Sequence, residues 1–448
     1  MRIAVISDTH FGDPMCTLVE QGGNGKITKG PKYGDFKAAV GKQNDHLILL
    51  GDILDFSIAS YQEAYNCAKA FFLWVQEDEI AKEMIFVPGN HDADLWHIVE
   101  HQVNIINRIE GGRPPRPFRM SVPGIIDDRK GSNVPGFTLA GVTAKFNQKG
   151  PKYAGLFLDQ ITVTEIDGEK KGEPIPFNFA YPNVYLVTDE ESVLITHGHY
   201  LETYWALAGE WSMKIAQEDL KIGGALDLME LVGINFPLSQ LACSGIGQAG
   251  PLTKVIRQVQ RDVKDGNPKR IKKYLNRLDH EVDKLTRFPW YKQYLEWLTD
   301  AASNAIKKLV LELIEDIQGT RYSDEFIHKK EVQARFMNFY SASLLEIDLL
   351  NRNYDYNIPV PWYVIFGHTH QPTPWGDQNA PKTKPSPEVG MRPITLYNTG
   401  GWLNRVNENK EIEFCGAEVF VYESKNNSHI IALLYAIAVV HRKWCQRK

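Results

Sequence analysis

Ile3-Ala4-Val5-Ile6-Ser7-Asp8-Thr9-His10 is a short apolar, β-branched run that stops at a small residue and then presents metal-binding side chains. The same grammar recurs along the chain. Leu47–Leu50 runs into Gly51-Asp52, and Met84–Pro88 into Gly89-Asn90-His91-Asp92. Val193–Thr196 precedes His197-Gly198-His199, and Trp362–Phe366 precedes Gly367-His368-Thr369-His370. Unbroken apolar runs of this length read as strands buried on both faces. In layered α/β proteins, ligands collect beyond the carboxyl ends of such strands. Five strand ends that deliver Asp, Asn and His therefore predict one site.

Between these strands the periodicity predicts helices at Tyr61–Lys82 and Leu95–Ile109. Strands or hairpins are expected at Gly136–Val142 and Leu156–Ile166, and strands at Ile394–Asn398, Phe414–Tyr422 and His429–Ile437. From about Leu201 to Tyr356 the spacing turns helical, with Lys254–Val263, Pro268–Leu285, Tyr291–Asp316 and Ser323–Leu350 as the segments. The expected organisation is a discontinuous catalytic domain, 1–200 with 357–448, interrupted by a helical cap at 201–356. Pro-rich Gln371–Met391 reads as a surface loop near the rim.

Composition bounds the answer. The 448 residues carry 50 Lys+Arg and 55 Asp+Glu, with 43% apolar and 23% charged residues. Those values exclude a collagen-like, low-complexity or disordered chain. A net charge of −5 argues against a dedicated nucleic-acid binder. The five cysteines are widely spaced and form no CxxC pair, which points to a reducing compartment without a disulfide framework. No apolar run reaches the ~18 residues of a membrane-spanning helix, and no signal-peptide core precedes the first strand. Cytoplasmic residence is the expectation, with a peripheral membrane location left open.

Asp8, His10, Asp52, Asn90, His197, His368 and His370 form a set of carboxylate, amide and imidazole donors. Two divalent ions need about this many protein ligands, with one carboxylate bridging them at ~3.5–4 Å. Asp52 is the expected bridge, because the Gly51 turn exposes it. A set without thiolates suits Mn, Fe, Zn or Co, with Mn²⁺ as first choice.

The ordered motifs Asp8-x-His10, Gly51-Asp52, Gly89-Asn90-His91-Asp92, His197 and Gly367-His368-x-His370 resemble the calcineurin-like metallophosphoesterase superfamily. The resemblance covers about 1–200 and 360–448. It implies a four-layer αββα sandwich around a di-metal site. Asp8, His10, Asp52 and His370 would hold one ion; Asp52, Asn90, His197 and His368 would hold the other. A di-metal-activated hydroxide would cleave a phosphoester or pyrophosphate bond. His91 would protonate the leaving oxygen or steady the phosphate, with Asp92 orienting it. Gly51–Phe56, Gly367–Pro372 and Asn398–Trp402 are also similar to the branch with UDP-2,3-diacylglucosamine hydrolases, which cover their site with a helical cap. His197-Gly198-His199 departs from the His-Gly-Asp of that branch.

His199 has three readings: behind the ligands, against a phosphate, or a ligand in place of His197. Asp13 and Asp55 read as caps or supports for the ligands. Residues 254–287 contain eleven Lys/Arg against five Asp/Glu, a solvated helix face or a surface for a membrane, nucleic acid or phosphorylated substrate. Gly223–Gly250 reads as the insert's own core or a substrate groove, and Ile430–Val440 as a last strand. Three functions remain in play: a phosphohydrolase of small or lipid-linked substrates, which is favoured; a metal-dependent nuclease; and a non-catalytic scaffold.

Overall fold

A computed structural model describes residues 1–130 except 24, then 175, 177–202 except 190, 205–206, 209–210, 226–246 and 248. It further describes 329–372, 394–406 and 411–424, with strand fragments at 137–139, 164–166, 169–171, 382–383 and 433–439. The basic segment 254–287 and the helices expected between 254 and 316 lie outside the described residues, as does most of the Pro-rich loop.

Fourteen strands build two seven-stranded sheets. In chain order they are β1 (Arg2–Ile6), β2 (Asn44–Leu50), β3 (Ala81–Val87), β4 (Gly124–Asp127), β5 (Phe137–Leu139), β6 (Phe177–Phe179) and β7 (Asn183–Val187). They continue with β8 (Ser192–Thr196), β9 (Pro361–Phe366), β10 (Lys382–Thr383), β11 (Ile394–Asn398), β12 (Gly400–Val406), β13 (Ile412–Glu423) and β14 (Leu433–Val439). The first sheet runs β6-β3-β2-β1-β13, with β12 and β14 both paired to β13. The second runs β10-β11-β9-β8-β7-β4-β5. Within the first, β6, β3, β2 and β1 are parallel. Within the second, β8, β9 and β11 are parallel. Parallel strands share one carboxyl edge, so each sheet gathers its motif loops on one side.

The fold is the expected α/β sandwich, and side chains show its layers. Tyr397 of β11 meets Phe420 of β13 between the sheets, with ring centroids 5.8 Å apart. Helices α1 (Tyr33–Val40) and α2 (Tyr61–Glu77) lie against the first sheet, where Phe36, Phe71, Phe11 and Trp402 form a buried aromatic cluster. Burial of each such ring stabilises by about 1.5–3 kcal/mol. The long helix α5 (Lys330–Tyr354) lies against the second sheet. Its Tyr340 hydroxyl donates to Pro361 O at 2.8 Å, and Tyr185 of β7 donates to Glu346 at 2.7 Å.

The motif strands fall where the sequence puts them, to within three residues. Helix α2 is the exception. It opens on a Ser60–Glu63 capping box, as an amphipathic run should, but ends at Glu77 rather than Lys82. Glu79 turns left-handed (φ 54°), and Ala81 pairs with Asn44 at the start of β3. Pairing with β2 captures residues that helical periodicity would continue. Leu95–Ile109 is helical as expected, as α3 (Asp94–His101), a π-helical turn and Asn107–Glu110. The described residues of 164–166 form part of the hairpin predicted there, and β14 is the predicted last strand.

The chain separates into two compact units, Met1–Gln248 with Ile327–Lys448, and Ala249–Phe326. Part of the segment read from sequence as cap thus belongs to the first unit, including α4 (Leu228–Gln240) and α5. The described residues of 201–356 are helical or in turns until the approach to β9.

Candidate metal centre

The first unit brings together Asp8, His10, Asp52, Asn90, His91, His197, His368 and His370 at the carboxyl ends of β1, β2, β3, β8 and β9. Backbone conformation marks the place. Asp8, His10, Asp52, His368 and His370 all have positive φ, between 47° and 72°. Left-handed backbone costs an ordinary residue about 1 kcal/mol or more, and such strain concentrates at functional sites. Hydrogen bonds hold this backbone: Asp8 N donates to Gly51 O (3.0 Å), His10 N to Asp52 O (2.9 Å) and Gly367 N to His197 O (2.9 Å). Two glycines are required by close approach. A β-carbon on Gly51 (φ 77°) would strike the His197 ring, and one on Gly367 would strike Ser7 and Asp8.

Three groups of donors share this space. Asp8, His10, Asp52 and His370 offer atoms within 4.8 Å of one another, as do Asp52, His197 and His368. Asp52 belongs to both groups. In the first, His370 Nε2 lies 3.3 Å from Asp8 Oδ1 and 2.9 Å from His10 Nε2. In the second, His197 Nε2 lies 3.2 Å from Asp52 Oδ2 and 3.1 Å from Asn90 Oδ1. The third group is His10, Asp55 and His91. Asp55 places Oδ2 at 2.8 Å from His10 Nδ1 and Oδ1 at 3.0 Å from His91 Nδ1.

Partners determine the tautomers. Leu50 O, 2.9 Å from His197 Nδ1, can only accept, so Nδ1 carries the proton and Nε2 turns to Asp52 and Asn90. By the same argument Asp55 takes the Nδ1 protons of His10 and His91. His91, 18% exposed in its side chain, thus turns Nδ1 rather than Nε2 to Asp55.

Charge follows geometry. Burial pushes the Asp8 carboxyl up, but His10 and His370 beside it outweigh burial and hold it well below the usual range. His197 and His91 do the same for Asp52, and His91 and His10 for Asp55, again against burial. His197 is pushed up to about 9 because Asp52 beside it overcomes the opposing effect of burial. Asp8 Oδ1 and Asp52 Oδ2 are buried and accept no hydrogen bond among the described residues. Ionised, orphaned carboxylate oxygens facing imidazole nitrogens are a cradle that divalent cations fit.

One expectation changes. Asp92 does not orient His91: its oxygens accept from the backbone N–H of Gly89 (2.6 Å), Ile53 (2.8 Å) and Leu54 (3.3 Å). It ties the loops after β2 and β3 together, and burial with the nearby Asp52 charge pushes its pKa up to about 7. Asp55 takes the orienting position because it lies three residues beyond Asp52, on the loop facing His91. That spacing was the available signal. His199 is buried against Tyr200, ring centroids 3.9 Å apart, and neither ring nitrogen has a hydrogen-bond partner among the described residues. It belongs to none of the donor groups. Sequence reasoning missed Ser57, whose hydroxyl lies 2.8 Å from His91 Nδ1, and Glu202, 2.9 Å from His368 Nε2. It also missed Cys243, whose thiol donates to Asn90 O at 3.3 Å.

Residues 1–218 match the calcineurin-like phosphoesterase family model. Over those residues the chain is similar to that family. A search of curated proteins returned no match, so the comparisons do not single out the UDP-2,3-diacylglucosamine hydrolase branch. His368 and His370 lie beyond the matched residues, yet the second sheet delivers them to the same site.

Proposed function

We propose that this protein is a metal-dependent hydrolase of a phosphoester or phosphoanhydride bond. The observation that carries the reading is Asp52: it joins two buried donor groups, and its Oδ1 accepts from the backbone N–H of His91 at 2.8 Å. Asp8, His10, Asp52 and His370 would hold one divalent ion, and Asp52, Asn90, His197 and His368 a second, with Mn²⁺ the first choice. Such ions supply Lewis acidity toward phosphate oxygens and lower the pKa of water. His91 donates Nδ1–H to Asp55, and in its protonated form gives the Nε2 proton to the leaving oxygen. The substrate is a phosphorylated small or lipid-linked molecule, chosen by the residues inserted between His199 and Gly367. Trp205, at 6.4 Å from His91 ring to ring, is the nearest aromatic side chain of that insert described.

The test is Mn²⁺ titration of EDTA-treated protein, followed by assays on p-nitrophenyl phosphate, its diester, a nucleoside diphosphate ester and DNA. Uptake of two ions with hydrolysis that EDTA stops is expected. Well-folded protein that takes up no ion overturns the reading, and cleavage of DNA alone replaces it with the nuclease.

A further inference from the structure

We propose that Glu202 is a positioning residue that makes His368 a ligand through Nδ1; this rests on the reading of the site as a metal centre. Glu202 stands outside every motif. It follows the short 3-10 turn His199–Leu201, whose closing bonds run from Leu201 N to Gly198 O (3.0 Å) and from Glu202 N to His199 O (3.2 Å). That turn starts from left-handed Gly198 (φ 104°), where a β-carbon would press on Phe366. The strand end that delivers His197 thereby also delivers Glu202, five residues on.

Its carboxylate is only 6% exposed, and Oε2 lies 2.9 Å from Nε2 of His368, itself 1% exposed. A carboxylate brought this deep needs compensation, and His368 is an ionisable group placed against it. A carboxylate only accepts, so the proton of a neutral His368 belongs on Nε2 and the lone pair on Nδ1. Glu202 is absent from the donor group of Asp52, His197 and His368, so it stands behind the imidazole rather than among the ligands. A carboxylate in that position fixes the ring and raises its basicity, and losing one typically weakens metal binding 10–100-fold. Glu202 lies in the first turn of the insert, so the insert does more than border the substrate: its first acidic residue supports the centre.

Calorimetric Mn²⁺ titration of full-length wild type, Glu202→Gln and Glu202→Ala tests this, with melting of the EDTA-treated proteins alongside. Glu202→Gln should bind one of the two ions roughly 10–100-fold more weakly while the metal-free protein melts as wild type does. In a His368→Ala background, Glu202→Gln should add nothing, because the pair acts as one unit. Wild-type affinity in Glu202→Gln, or an equal loss with and without His368, overturns the proposal. A wild type that binds no Mn²⁺ at all is a different failure, that of the metal-centre reading itself.

Discussion

The two sheets make unlike contributions to one site. Strands β1, β2 and β3 end in Asp8, His10, Asp52 and Asn90, and the loop after β2 adds Asp55. Strands β8 and β9 end in His197, His368 and His370, with the one carboxylate of Glu202 set against His368. The first sheet carries the carboxylates that face the donor groups; the second carries imidazoles with a proton to lose. Buried carboxylates without a counter-charge are costly, by several kcal/mol for each ion taken from water. Neutral imidazoles coordinate a divalent ion but bring no negative charge to offset its own. The difference teaches that charge and coordination number come from different layers, so the site exists only where the layers meet.

The comparison breaks most completely at Asp52, the residue shared by both donor groups. Asp52→Asn should weaken both ions and lower turnover of an aryl phosphate by more than the ~10²–10⁴-fold typical of losing a general acid. His368→Ala should weaken only one ion. Metal stoichiometry by elemental analysis separates the two; a single ion lost in both variants would deny Asp52 its shared role.

His91→Ala leaves both halves intact and should retain two ions while turnover falls roughly 10²–10⁴-fold. The loss should shrink as the leaving group becomes more acidic, read from a series of substituted phenyl phosphates. Asp55→Asn should reproduce a smaller version of the same pattern, whereas Asp92→Asn should act through stability.

Acidity sharpens the contrast between sheets. His197, raised to about 9 in the metal-free fold, is protonated at neutral pH, and an ion at Nε2 must displace that proton. Metal affinity should therefore rise with pH up to about 9, by roughly tenfold per unit for one proton released. Titrations in buffers of different ionisation enthalpy report the proton directly. In the metal-free protein the sign is opposite: the His197–Asp52 pair stabilises fully below pH 6.5, and that contribution is lost as pH rises through about 9.

The smallest effect lies away from the site. Burial pushes Glu346 up to about 7, between Ser121 and Tyr185, both of which donate to it. Its folded pKa exceeds the unfolded value of 4.5, so its contribution is present below pH 4.5 and lost as pH rises through 7. Urea unfolding of Glu346→Gln should lose this dependence, worth at most about 3 kcal/mol. A variant that keeps the wild-type pH slope would locate the titration elsewhere.

Five apolar runs, each broken by glycine or a hydroxyl residue before Asp, Asn or His, made the motif strands and the donor set readable in the chain. A buried strand has to be apolar along its length, and a donor at its end has to be polar, so the change in chemistry is printed in order. Helix α2 was legible at its start, where Ser60 and Glu63 cap each other, and not at its end. Nothing local tells Ala81 to leave a helical period; pairing with Asn44 does. Asp92 was misread for the same reason. A carboxylate next to His91 in sequence need not face it, and the loop turns this one toward the amides of Gly89, Ile53 and Leu54.

The order and kind of the donors were thus determined by sequence alone, because strand burial and ligand chemistry each restrict residue type at fixed spacing. Which nitrogen of each imidazole faces inward, that Asp55 serves both His10 and His91, and that Glu202 stands behind His368 were decided by tertiary structure. Those relations join residues tens to hundreds of positions apart, and only the pairing of neighbouring strands, β1 with β2, β2 with β3 and β8 with β9, brings each carboxylate to about 3 Å from the nitrogen it controls.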